Sequence, residues 1–414
     1  MDWSNEEAAT GRWTRLATRL EQLGPALVLA AVVVGPGSIA LSTIAGSLYG
    51  YQLLWVPVVA TTFMIVYTWM AARIGLVTGK TLFQATRERF GATVATLGGL
   101  AGFLTILAFQ AGNTAGIAFA ANALFGFDVR LWALLFTAVA FGFVLLPNLY
   151  DKLELLVKVV VSVMLVSFVG TLALVGIDLQ AAAAGLVPGF PDRASIFLTL
   201  GMAATTFSIA AAVYQTHLMR EKEWGPERLG VEGADTVIGI ALLGGIAMVV
   251  LLTSASVIHG TGDAVFSAQA MASQLEPLAG PGAFYLFTIG FFFASLSSLV
   301  VNALIGATLL VDGLGKSPAM DGRPVKQWTG VAMAVGLAVV VLFGGSPVEL
   351  LRVAQGLAIV AFPILGFLVL ALANSERLMG DHTNGTVVNA LGALGYLVIV
   401  AIVGNYLREV VTAL

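Results

Sequence analysis

Apolar runs of 18 or more residues recur along nearly the whole chain, the first opening near Gly24 and the last closing near Leu407. A run of about 20 apolar residues is the length that crosses a bilayer as a helix. Lipid offers no partner to a backbone N–H or C=O, so each crossing must satisfy its hydrogen bonds within itself or against other protein. A β-barrel would show segments of about ten residues alternating apolar and polar, and none are visible. Of the 414 residues, 58% are hydrophobic and only 10% charged, against about 25% charged in soluble domains. The expectation is an all-α polytopic membrane protein.

Eleven spans are predicted, at 25–48, 52–76, 94–125, 131–147, 153–176, 195–219, 234–258, 282–311, 328–344, 349–372 and 386–407. With the N-terminus in the cytoplasm, the inside segments hold 16 of the 20 basic residues, among them Arg12, Arg73, Lys152, Arg220, Lys316 and Arg377. The outside keeps Arg130, Arg193, Arg352 and Arg408. Basic residues accumulate on the cytoplasmic side of membrane proteins, so the expected orientation is N-terminus inside and C-terminus outside, in an inner or plasma membrane. The polar segment 1–23 carries Trp13, Leu16 and Leu20 at helical spacing and reads as an interfacial helix. The expected division is a cytoplasmic segment at 1–23, a core of ten spans at 24–380, and an eleventh helix with a short C-terminus at 381–414. The first apolar run is too long for a signal peptide.

Several chemistries are excluded by inventory. The chain has no cysteine, which removes disulfides and thiolate metal ligands. No H-E-x-x-H, phosphate-binding loop or Gly-rich dinucleotide motif is present, so an enzyme is not expected and no cofactor is implied. Basic patches interleaved with aromatics are also missing, which argues against nucleic acid.

Inside the first span stands Gly35-Pro36-Gly37-Ser38. Proline removes an N–H and clashes with the preceding turn, and glycine has poor helix propensity. Backbone freed at that depth needs another helix, water or a ligand as partner. One reading is a simple proline kink. The other is a discontinuous helix at a transport site, where half-helix ends and carbonyls hold the cargo. Ten spans divide as five plus five, which places the sixth span in correspondence with the first. That sixth span carries Thr205, Thr206, Ser208, Tyr214, Gln215 and His217 but no Pro or Gly from Ala203 to His217. Its interruption is therefore expected from symmetry alone.

The order and spacing of several segments resemble the Nramp family of divalent metal transporters over nearly the full length. The segments are "GPALVLAAVVVGPGSIALSTIAGSLYGYQLLW" in span 1, "AARIGLVTGKTL" at the end of span 2, and "KLE" at Lys152–Glu154. They continue with "DTVIGIALLGG" in span 7, "ASLSSLVVNALIGATLLVDGL" in span 8, and "RVAQG" followed by "ERLMG" in span 10. The resemblance implies a LeuT-like fold of two inverted five-helix repeats, with helix 1 and helix 6 discontinuous, working by alternating access.

The match fails where the family holds its metal. The family's Asp-Pro-Gly-Asn is here Gly35-Pro36-Gly37-Ser38, and its Met-Pro-His falls most simply on Ile209, Ala210 and Ala211. Gln355 matches a family glutamine near the site. Acidic residues associated with the family's proton route fall on Gln110 and Asn113. All 23 acidic residues lie in loops, termini or span ends. A dehydrated transition ion in low dielectric needs anionic or soft ligands to offset its desolvation, and this chain offers neither at mid-span.

Two substrate classes survive, a divalent cation that keeps much of its water, with Mg²⁺ the natural case, and a small uncharged or zwitterionic solute. A non-transporting sensor is the third reading. The expected contacts are Gly35, Gly37, Ser38, Thr206, Ile209 and Gln355, with Ser38 and Gln355 supplying oxygens and Ile209 limiting size. No metal site built from the usual ligands is expected, and neither is proton coupling through a buried carboxylate. Gln110, Asn113 and His217 are candidates for a remnant hydrophilic pathway, His217 also for an interfacial histidine bonded to a carbonyl. Asn302, Ser295, Ser297, Ser298 and Asn122 read as helix–helix hydrogen-bonding groups. His259 and His382 are expected in loops. The segment Met219–Gly230 reads as a solvated loop.

Overall fold

A computed structural model describes residues 35–261, 267–344, 350, 353–354 and 358–413, with the side chains of all but 147–157, 402 and 405–413. The expected interfacial helix at 1–23, the first half of span 1 and Gln355 lie outside the described residues. Among those residues there is no strand. The principal helices are α1 (Pro36–Tyr49), α2 (Trp55–Thr78), α3 (Leu82–Phe90), α4 (Ala92–Phe125), α5 (Val129–Leu145) and α6 (Pro147–Val175). They continue with α7 (Arg193–Thr206), α8 (Ile209–Glu221), α9 (Leu229–Val257), α10 (Ala283–Gly313), α11 (Arg323–Phe343), α12 (Phe362–Ala373) and α13 (Thr386–Ala413).

Seven helical stretches among the described residues are long and apolar enough to cross a membrane, and α12 with the bent turn Glu376–His382 makes an eighth. Shorter apolar helices cover Val129–Leu145 and Thr386–Ala401. Local chemistry sets the ends. Gly79, in the left-handed region at φ 62°, closes α2. Thr81 and Gln84 form a reciprocal capping box at the start of α3, a short helix carrying Arg87 and Arg89 in its last turn. Asp192 and Ser195 do the same for α7.

The helix contacts have an internal symmetry. α4 packs on α10 more extensively than any other pair, α1 packs on α9, and α8 packs on α2. Numbered as spans, these are 3 on 8, 1 on 7 and 6 on 2, a pattern unchanged when the two sets of five are exchanged. Small residues permit the approach. A Cβ on Gly99 would lie 2.7 Å from the Gly313 Cα, and one on Gly46 would lie 2.4 Å from the Leu251 carbonyl oxygen. In lipid there is little hydrophobic drive between helices, so this close packing carries much of the association.

Candidate functional site

α1 starts at Pro36, with Gly35 at the N-cap in extended backbone (φ −95°, ψ 173°) and no side chain capping it. Proline suits the first helical position, where its missing N–H is one the helix could not pair. Opposite it, α7 ends at Thr206 and α8 starts at Ile209, with Phe207 and Ser208 between them out of helical conformation. Neither Pro nor Gly makes this break. The Phe207 ring packs against Phe362 at 4.9 Å and Tyr67 at 5.3 Å between centroids, and Tyr67 packs on Phe362 at 5.4 Å. This aromatic trio ties the gap to α2 and α12. Backbone groups at helix ends lack intrahelical partners and gather here beside α1.

A cavity of about 20 Å³ lies between these ends, lined by Gly35, Gly37, Ser38, Phe109, Asn113, Thr205, Ser208 and Asn302. A cavity of about 10–15 Å³ is the minimum for one water, so this one takes a single water-sized body. All its described lining side chains are neutral.

Hydrogen bonding orients the lining. The Leu299 carbonyl can only accept, and Gln110 Nε2 donates to it at 2.8 Å. Gln110 therefore turns its oxygen the other way, where Asn113 Nδ2 donates to it at 3.0 Å. Asn113 is left presenting its own oxygen, and a Cβ on Gly35 would lie 3.7 Å from that Oδ1. Gln110 and Asn113 are fully or nearly fully buried, so the relay is shielded from competing water. Its outcome is an acceptor aimed at the cavity. The Thr205 hydroxyl donates to the Met202 carbonyl at 3.1 Å, which likewise leaves its lone pairs as the free end.

The expected site residues distribute unevenly. Gly35, Gly37 and Ser38 line the cavity, and Asn113 joins them. Thr206 and Ile209 are buried but their neighbours Thr205 and Ser208 line the cavity instead; Ile209 belongs to the apolar core, and Phe109 is the apolar wall. Gln110 is the positioning residue behind Asn113. Asn302, read as helix–helix glue, lines the site, whereas Ser295 bonds the Phe291 carbonyl and Asn122 the Phe127 carbonyl. His217 sits in the second half of α8, its Nε2 3.1 Å from Asp312 Oδ2 in ion-pair range without hydrogen-bond geometry, with both side chains buried and its ring stacked on Tyr214. Its partner is therefore a carboxylate. His259 Nδ1 lies 2.9 Å from the Ser47 carbonyl.

One expectation needs correction. Glu232, Asp235 and Asp312 lie at helix ends, as the sequence places them, yet all three are buried. Buried carboxylates are thus present, away from the cavity. Among the described residues no three acidic or histidine side chains are grouped so as to hold a metal ion.

A helix start and a gap between two helices meet at a small polar cavity, as half-helix ends do at the cargo site of many transporters. The family model for natural resistance-associated macrophage protein-like (Nramp) chains matches residues 26–408. The chain belongs to the Nramp family, a family of transporters and not of enzymes, and it is an integral membrane protein. It is 26% identical over 394 residues to the divalent metal cation transporter MntH of Yersinia pestis, covering 93% of this chain and 94% of that one. In fold it is similar to the manganese transporter of Eremococcus coleocola, with TM-score 0.77, 19% identity, and coverage of 92% and 85%. It is also similar to Mhp1, a nucleobase-cation-symport-1 family transporter, with TM-score 0.59, 15% identity, and coverage of 94% and 92%.

Proposed function

We propose that this protein carries a divalent cation across the membrane by alternating access, through a site made of neutral oxygens. The observation that carries the reading is the relay from Leu299 through Gln110 to Asn113, which leaves an amide oxygen and not an N–H₂ facing the cavity. An anion would draw instead on the backbone N–H groups at the uncapped starts of α1 and α8, which also border the cavity. The MntH and manganese-transporter relatives support the cation class.

The residues we assign to the cargo are Gly35, Gly37, Ser38, Asn113, Thr205, Ser208 and Asn302, with Gln355 carried from the family resemblance. The usual carboxylate in span 1 is Gly35 here and the usual span 3 acids are Gln110 and Asn113, so the family's carboxylate proton route is not rebuilt at this site. Neutral oxygens repay dehydration poorly. The cargo therefore enters hydrated when the halves of the bundle separate, keeps water as a ligand, and is weakly selected, with Mg²⁺ and Mn²⁺ both accepted. We place the cycle in an eleven-span frame with helices 1 and 6 discontinuous and the N-terminus cytoplasmic, the orientation favoured by the distribution of basic residues.

Uptake into proteoliposomes tests this. Mg²⁺ and Mn²⁺ should enter at rates within about tenfold of each other, a spread of about 1.4 kcal/mol, and Asn113→Leu should reduce both. Absence of uptake for either ion, with thermal stabilisation by a neutral or zwitterionic solute, would move the protein to the other substrate class.

A further inference from the structure

Away from the cavity, the N-terminal turn of α9 carries Glu232, which is fully buried. Its partner is Gln215 on α8, also fully buried, whose Nε2 donates to Glu232 Oε1 at 2.6 Å. The remaining atoms of this pair are Glu232 Oε2 and Gln215 Oε1. Both are sealed from solvent and neither has a hydrogen-bond partner. If Glu232 were ionised, a carboxylate oxygen and an amide oxygen would both stay unsatisfied, which is costly for any buried acceptor and more so for a charged one.

Two acceptors of one pair lack one hydrogen between them. A proton on Glu232 Oε2 turns that atom into a donor, and an acid and an amide then complement each other, each donating once and accepting once. Among the described residues no cation bonds the carboxyl, and the attraction it receives comes from Lys222 at a distance. Asp235 on α9 adds repulsion, and the Thr236 hydroxyl lies close enough to favour the charged carboxyl without making a hydrogen bond to it. Lys222, at the end of α8, is exposed with its ammonium over the Trp224 ring at 4.6 Å, and Arg228 lies over the same ring. Glu227 accepts from the Gly225 N–H. On α2, which packs against both helices, Arg73 is committed to the carbonyls of His382 and Thr383 and to Asn384, and the Tyr67 hydroxyl donates to the Gly392 carbonyl. On α8, Tyr214 reaches the Met320 sulfur and His217 faces Asp312. From α1, Tyr49 turns to Asp192, and Lys158 on α6 is exposed.

We propose that Glu232, paired with Gln215, is a proton-binding site of the transport cycle. The acid holds its proton while α8 and α9, both packed on α2, bring Gln215 to Glu232. When the two helices part, water reaches the pair, the proton passes to that water, and a hydrated carboxylate remains until repacking takes the proton up again. Since α8 begins at the cavity and carries Gln215 at its middle, movement of one half-helix links cargo occupancy to protonation. The assignment does not depend on which cargo is carried.

Infrared spectroscopy of the purified full chain in lipid nanodiscs tests it without any cargo, so its failure is separable from failure of the cation reading. The wild type should show the C=O absorption of a protonated, water-inaccessible carboxyl at neutral pH. Glu232→Gln should lose that band, while Asp235→Asn and Asp312→Asn keep it. A wild type without the band, or a band that survives in Glu232→Gln, overturns the proposal. Should Glu232→Gln fail to fold, Gln215→Leu supplies the decision. The band must then shift in frequency, because the acid has lost its amide partner; an unmoved band overturns the assignment.

Discussion

Placing a carboxylate where the family has one should strengthen cation binding by a calculable amount. The perturbation is Gly35→Asp. The backbone at 35 (φ −95°, ψ 173°) suits any residue. The new Cβ would stand 3.1 Å from the Ser298 Oγ and 3.7 Å from the Asn113 Oδ1, so the Ser298 hydroxyl must yield by a few tenths of an ångström. A carboxylate about 4 Å from a divalent ion gains about 8 kcal/mol at an effective dielectric of about 20. Against that stand a desolvation cost of several kcal/mol and repulsion from the Asn113 oxygen. A net gain of about 3 kcal/mol remains, or roughly 100-fold in Kd. Aspartate at an uncapped N-cap position adds a few tenths of a kcal/mol to the fold. Calorimetric titration of Mn²⁺ into wild type, Gly35→Asp and the uncharged Gly35→Asn reads the effect. Equal Mn²⁺ affinity in the Asp and Asn variants would refute the electrostatic reasoning and the alignment of Gly35 with the cargo.

Gln110→Leu removes the acceptor that holds the Asn113 N–H₂, so the amide is free to turn; loss of one such bond costs about 1–1.5 kcal/mol, and uptake at low Mg²⁺ should fall about tenfold. Unchanged uptake would show that the relay does not orient the site. Gly46→Ala drives a Cβ to 2.4 Å from the Leu251 carbonyl oxygen and 2.8 Å from the Ala255 nitrogen, backbone atoms that cannot swing aside; overpacking of about 1–3 kcal/mol should lower the melting temperature, and an unaltered melt would contradict the close α1–α9 contact. At Asp192, the Ser195 N–H and the Tyr49 hydroxyl hold the carboxyl below its ordinary range. A depressed value means the stabilisation is complete above the ordinary carboxylate range and is lost as pH falls through the depressed value. Asp192→Asn, which still caps α7 but does not titrate, should melt slightly below wild type at neutral pH and lose part of the acid decline. Identical acid limbs would refute that assignment.

How much of this was legible in the sequence depended on the kind of signal. Helices in lipid announce themselves by length and apolarity, and Gly35-Pro36-Gly37 marked a helix start because proline and glycine act on their own backbone. The gap at Phe207–Ser208 left no such mark. It is associated with the Tyr67, Phe207 and Phe362 rings, residues far apart in the chain, and only symmetry with the first span pointed to it. The one-position offset from Thr206 and Ile209 to Thr205 and Ser208 follows, since the register at a break depends on where the helix stops. Asn302 looked like ordinary interhelical glue because its chemistry is the same in either role. Glu232 and Asp312 misled by position, for a helix end that is covered by a neighbouring helix is not solvent. The pairing of Gln215 with Glu232 joins residues on two helices and had no local pattern to reveal it.

The central claim is that neutral oxygens, and no carboxylate, thioether or imidazole, hold the cargo. X-ray absorption of Mn²⁺ bound to the purified protein, with Asn113→Leu as control, tests that most directly. The predicted spectrum has a first shell of oxygen alone, including water, and it is lost in the variant. A sulfur or imidazole scatterer in that shell, or a spectrum unaltered by Asn113→Leu, would contradict the account.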